Sequence, residues 1–244
     1  MQTLDPTLTV LLFSSLASLT AALGVLPHVV RGPTPRIALG WANALASGLM
    51  IGVAYMLLTV GLEDGGARGA IGALMGIGFV RLTHALTGTG ELDLERAEEA
   101  GPEHGYRVIL VDTLHAAHEG IAIGVAMLIS LPFGIGMALA LAVHNIPEAV
   151  VMTELLAGHG LRNSQAGALA VAVNLNQVLL AVTTFAVVGA APALMPWATG
   201  FAVGALLYLV LVELLPESYH QAGSTSIALV TLVAMAMVVL LGST

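Results

Sequence analysis

Eight runs of apolar residues, each long enough to cross a bilayer, leave this chain few ways to fold. They occupy 7–30, 38–61, 68–87, 107–129, 132–157, 164–189, 193–216 and 224–242. A hydrocarbon core takes about 20 helical residues to cross. Inside it the backbone must satisfy its own polar groups, which helices do and open sheets cannot. Only 9% of the residues are charged and 57% are hydrophobic, against about 25% charged in soluble domains. The sequence therefore predicts an all-α polytopic membrane protein, with 1–244 forming a single transmembrane domain of eight helices and short loops.

The breaks between the runs carry turn chemistry: RGPTPR at 31–36, EDGGARG at 63–69, LPFG at 131–134, GHGLRN at 158–163 and AAPALMP at 190–196. Proline and glycine end helices there by removing a donor or freeing φ. The first run has no basic start and is longer than the core of a cleavable signal, so it reads as a retained span. Arg31, Arg36, Arg81, Arg96, Arg107 and Arg162 lie in or beside the loops after runs one, three and five, and only Arg68 lies on the other side. The positive-inside rule then places those loops in the cytoplasm and both termini on the extracytoplasmic side of an inner, plasma membrane. Residues 88–106, GTGELDLERAEEAGPEHGY, hold six acids and read as a cytoplasmic loop with a short helix around LDLERAEEA. The chain has no cysteine, which excludes disulfides and thiolate ligands. No basic patch suggests a nucleic-acid partner, and no GxxxxGK[ST] loop suggests nucleotide hydrolysis.

Chemistry is concentrated in a few helices. His115–Glu119 and His144–Glu148 are both i, i+4 pairs, so each puts an imidazole and a carboxylate on one helical face. Asp112 extends the first face at i−3 from His115, and His118 lies off that stripe. Met152 continues the second face, with Asn145 beside it, and Pro147 removes a backbone donor next to Glu148. Glu213, Glu217 and His220 gather at the end of the seventh run. Ionisable groups at membrane depth are expensive and mark ion pathways by default. Two nitrogens and two carboxylates make a shell for a divalent transition metal, and the acids have no lysine anywhere in the chain to offset them.

At these residues the chain resembles the ZIP (Zrt/Irt-like) family of divalent metal transporters, in its bacterial form. HAAHEG at 115–120 is similar to the family's fourth-helix HNxPEG, HNIPEA at 144–149 to the fifth-helix HNIPEG, and VELLPESYH at 212–220 to the seventh-helix HExxPExxH. The resemblance implies a primary metal site made by His115, Glu119, His144 and Glu148. A second site, where family members have one, would map to Ala116, Asn145 and Gln177. Alanine cannot ligate and glutamine is neutral where an acid is expected, so the second site is weakened or lost. His118 stands where the family has proline, and either straightens the helix or supplies a ligand. Asp112 lies outside the family pattern and reads as an acceptor for His115 or an entrance group, while Glu213, Glu217 and His220 suggest an exit relay.

The implied activity is uptake of Zn²⁺, with Fe²⁺, Mn²⁺ and Cd²⁺ as other cargo, by an alternating-access carrier in which helices four and five move against the rest. The ion is substrate, and no resident cofactor is required. A homodimer is plausible from the resemblance. Two other readings remain at this point: an intramembrane zinc hydrolase, for which Glu154 is the nearest spare acid, and a passive metal channel.

Overall fold

The computed structural model describes residues 5–61, 66–87, 102–158 and 160–242, and its described residues are almost all helical. The helices are α1 (Pro6–Thr20), α2 (Leu26–Arg31), α3 (Arg36–Gly61), α4 (Gly66–Thr87), α5 (Pro102–Ile129), α6 (Leu131–Gly158), α7 (Asn163–Ala190), α8 (Met195–Leu209), α9 (Leu215–Gln221) and α10 (Ser224–Gly242). Seven stretches are long and apolar enough to cross a membrane, and the shorter apolar helix Ser224–Leu240 stands beside them. Most of the acidic insertion, including the helix expected around LDLERAEEA, lies outside the described residues. The fourth span begins earlier than the apolar run suggests, at Pro102, where a missing N–H costs a helix nothing.

Local chemistry sets the ends and irregularities. Asp5 caps α1 by accepting from the N–H groups of Thr7 and Leu8 at 2.9 and 3.2 Å. The first span is not one α-helix. Residues Ala21–Val25 tighten into a 3₁₀ turn, just before Pro27 removes a donor. Pro147, by contrast, sits within α6 without ending it. The loop after α6 turns at Gly160, whose φ of 81° a side chain would resist. The Leu161 N–H reaches back to the Leu156 carbonyl there at 3.2 Å. Between α8 and α9 the chain makes a π-helical turn at Val210–Leu214, ahead of Pro216. The last two spans separate at Ala222–Gly223.

The densest contacts group the helices into two sets, or bodies, which also meet where α3 packs on α6 and α5 on α8. The segment from α1 to α2 packs on α6 and α7, and α5 runs along α7 for much of its length. In the other body α4 lies along α8, and α3 lies along α10. The closest helix approaches fall inside one body or the other. A Cβ on Gly72, Gly76, Gly200 or Gly204 would lie under 3 Å from backbone of the α4–α8 pair, and one on Gly120 or Gly124 would crowd the backbone of α7. Small residues permit this backbone-to-backbone packing in membranes. Thr20 to the Ala142 carbonyl (2.7 Å) and Asn176 to the Thr113 carbonyl (2.7 Å) fasten the first body internally. Thr231 to the Ala44 carbonyl (3.2 Å) fastens the second. Between the bodies lies an apolar core that includes Met50, Val53 and Leu206 from one side and Ile123, Met137 and Leu141 from the other.

Candidate metal centre

α5 and α6 lie side by side and turn their polar faces inward. His144 is buried, and its Nδ1 lies 3.2 Å from the Ala46 carbonyl of α3. A carbonyl only accepts, so Nδ1 carries the proton of that bond and Nε2 presents its other face to the acids. Nε2 is 3.0 Å from Glu119 Oε1 and 3.7 Å from Glu148 Oε2. The nitrogen and two carboxylates converge on one point, an arrangement that a cation between them stabilises.

The four ligands expected from the paired motifs do not close into one shell. Their atoms divide into overlapping triads, each with ligand atoms within 4.8 Å of one another. Glu119, His144 and Glu148 form the deepest. Asp112, His115 and Glu148 form a second, sharing Glu148. His84, His115 and Glu213 form a third, sharing His115. In that third triad Glu213 Oε2 lies 3.1 Å from His84 Nε2 and 3.8 Å from His115 Nε2. The π-helical turn carries Glu213 at this point of the seventh span, and such turns recur at functional sites because they re-aim a side chain. Asp112 is thus placed among candidate ligands. Glu217 reaches the cavity mouth and accepts from Gln221 at 2.6 Å, while His220 is exposed on α9.

Asn145 and Gln177 are buried behind the first triad. The Asn145 amide donates to the Ala17 carbonyl at 2.8 Å and to Gln177 Oε1 at 3.1 Å, and Gln177 Nε2 donates to Glu119 Oε2 at 3.2 Å. Ala116, also buried, adds no ligand atom. The neutral amides hold Glu119 in place from behind.

A cavity of about 70 Å³ meets the triads from one side. Asn43, Asp112, His115, His144, Glu148, Glu213 and Glu217 supply its polar wall, and Met50 and Met152 part of its apolar wall. It extends past Val151, Leu155 and Glu217, toward the end of the bundle where Arg31 and Arg162 lie. Toward the other end, Ile123, Leu141 and Leu206 are fully buried in the apolar core. Among the described residues, no arginine lines the cavity.

The comparisons with known proteins agree with this chemistry. The family described as ZIP Zinc transporter matches residues 84–242, well over half of the chain. The chain belongs to the ZIP zinc transporter family. A provisionally assigned zinc transporter of Arabidopsis thaliana is 32% identical over 90% of this chain, which spans 36% of that relative's length. The zinc transporter GufA of Myxococcus xanthus is 29% identical, over 87% of this chain and 89% of its own length. As a ZIP member the chain belongs to a family of transporters, and its long apolar helices fit a multi-pass membrane protein.

His84 is the residue that motif reading passes over. It lies inside the third apolar run and is as ionisable as the others. Its partner comes from the seventh span, so no spacing along the chain connects them.

Proposed function

We propose that this chain moves divalent transition-metal ions, zinc foremost, across a plasma membrane by alternating access. The observation that carries the reading is the chain of three triads, each sharing one ligand with the next, running from a sealed core into a one-sided cavity. An ion passed between sites that share a ligand never loses all its donors at once. Nitrogen and carboxylate ligands in sets of three suit Zn²⁺ and admit Fe²⁺, Mn²⁺ and Cd²⁺. The shells leave positions open for water, as a carrier that must release its cargo requires.

The first triad and Asp112 belong to the body of spans one, four, five and six, and His84 and Glu213 to the body of spans two, three, seven and eight. Close packing within each body supports their moving as units, with the apolar core between them as the sliding surface. Helices four and five would therefore travel with one and six. By arginine placement the open end faces the cytoplasm and the termini face outside, so this conformation is inward-facing. Release into the cytoplasm follows the His84–Glu213 triad and Glu217. A homodimer in the plasma membrane fits the family.

The sealed core weighs against a continuous channel, and the position of Glu154 weighs against a hydrolase. Glu154 accepts from the Thr34 N–H at 2.8 Å and lies 2.9 Å from His28 Nδ1, which ties the ends of the first and fifth spans. It is not among the cavity-lining residues.

The test is Zn²⁺ influx into proteoliposomes loaded with a zinc indicator, with Glu119→Ala and His144→Ala beside the unmodified protein. Saturable influx that both substitutions abolish at equal incorporation is the expected result. Full transport by either variant overturns the site. Influx that rises linearly with zinc and never saturates overturns the carrier reading.

A further inference from the structure

One polar side chain near the triads belongs to none of them. His118 is fully buried, and neither of its ring nitrogens has a hydrogen-bond partner among the described residues. Leaving both nitrogens of an imidazole unmet in an apolar interior is costly, and an aliphatic residue would fill the space without that cost. His118 is three residues past His115 on α5, so it lies about 4.5 Å farther along the helix, toward the sealed end. It is absent from the cavity wall. Its ring centre is 5.7 Å from that of His115, with the planes inclined by 40°.

That separation suits two rings holding one ion. With a zinc–nitrogen bond of about 2.0–2.1 Å, each ring centre stands roughly 3.2 Å from the metal, and 5.7 Å between centres opens the angle at the metal to about 125°. A small rotation of either ring brings it to tetrahedral. Resting on the reading of this site as a metal path, the geometry points to His118 as a further ligand of the transported ion, chelating it together with His115 on the sealed side of the cavity. An ion that enters from the sealed end reaches His118 at nearly the depth of Glu119, before it reaches His115. His115 then passes it on, because the same imidazole belongs to the Asp112–Glu148 and His84–Glu213 triads. An added nitrogen donor also shapes selectivity, favouring Zn²⁺ and Co²⁺ over Mn²⁺.

The absence of cysteine from the chain makes the test direct. His118→Cys, His115→Cys and Ala117→Cys are purified separately and titrated with Co²⁺, and the thiolate-to-cobalt charge-transfer absorption is recorded. That absorption requires a sulfur–metal bond. It is expected from His118→Cys and His115→Cys and not from Ala117→Cys, whose side chain leaves the helix in another direction. Absorption from His115→Cys alone, with Co²⁺ still bound by His118→Cys, overturns the role of His118 and leaves the transport site standing. Absence from both overturns the site reading as well. A second measurement decides if the cysteine variant fails to fold. In His118→Gln the ratio of Zn²⁺ to Mn²⁺ uptake is expected to fall about tenfold, the scale of one lost nitrogen donor, whereas equal loss for both ions assigns His118 to structure and overturns the proposal.

Discussion

Gln177→Glu puts a charge where the structure has an amide, and its consequence can be worked out from two hydrogen bonds. Gln177 Nε2 donates to Glu119 Oε2 at 3.2 Å. A glutamate in the same pose loses that donor and sets two carboxylates about 3.2 Å apart. At an effective dielectric of about 20, two like charges at that distance repel by roughly 5 kcal/mol. Taking up a proton at pH 7 costs an ordinary carboxyl about 4 kcal/mol, which caps the penalty. At pH 5 the same cap falls to about 1 kcal/mol. Metal-free Gln177→Glu should therefore melt lower than the unmodified protein at pH 7, by on the order of 10 °C, and the gap should narrow as the pH falls. The sign follows from linkage, since the folded variant binds a proton that its unfolded chain releases at neutral pH. A divalent ion between the carboxylates removes the repulsion too, so Zn²⁺ should restore the melting temperature and bind with one more ion per chain than the unmodified protein takes. Melting curves at two pH values, with and without Zn²⁺, and bound metal by elemental analysis read both effects. An unchanged stoichiometry together with a pH-independent melting gap would refute the reasoning that Gln177 occupies the place of a second ion.

Two shorter predictions follow. His84→Ala and Glu213→Ala should lower the maximal Zn²⁺ uptake rate by roughly tenfold while leaving the half-saturating concentration near its original value, because they remove a release station and not the deepest triad. A rise in the half-saturating concentration with an unchanged maximal rate would place them in initial binding instead. Gly200→Ala should destabilise the protein in detergent by about 1–3 kcal/mol through overpacking of α4 on α8. Gly136→Ala, where nothing lies within 4 Å of the added methyl, should be neutral or slightly stabilising. Equal melting temperatures for the two variants would contradict the close helix packing.

The stripe on α5 was legible because a helix converts spacing into direction. Residues at i, i+3 and i+7 share a face whatever the helix packs against, so Asp112, His115 and Glu119 declared themselves, as did His144 and Glu148. What spacing cannot supply is which neighbouring helix each ligand turns toward. His115 therefore read as a partner of Glu119, whereas its ring closes a triad with Asp112 and Glu148 and another with His84 and Glu213. Glu213 was harder still. A regular helix through Pro216 misstates its direction, and the π-helical turn is a response to packing and to the missing proline donor that no periodicity contains. The two bodies were illegible for the same reason. Glycines along α4, α5 and α8 announce close contact without naming the partner, and only the assembled bundle shows α5 against α7 and α4 against α8.

The placement of polar contacts carries a last consequence for how the two bodies can move. His144 to the Ala46 carbonyl and His115 to Glu213 both join one body to the other, and both end on candidate ligands. The hydrogen bonds of Thr20, Asn176 and Thr231 stay within a body. Most of the remaining contact surface between the bodies is apolar and lacks direction, so a shift along it exchanges one set of dispersion contacts for another at little net cost. Cargo changes the polar term at the centre. An ion held by Glu119, His144 and Glu148 neutralises the acids that would otherwise have to enter the apolar core as the bodies slide. An empty site would carry those acids into the same core with no cation between them, unless protons replaced the metal. On the proposed sliding of the two bodies, movement is easier loaded than empty, and the fewest charges cross the sealed region when the ion or its proton equivalents accompany them.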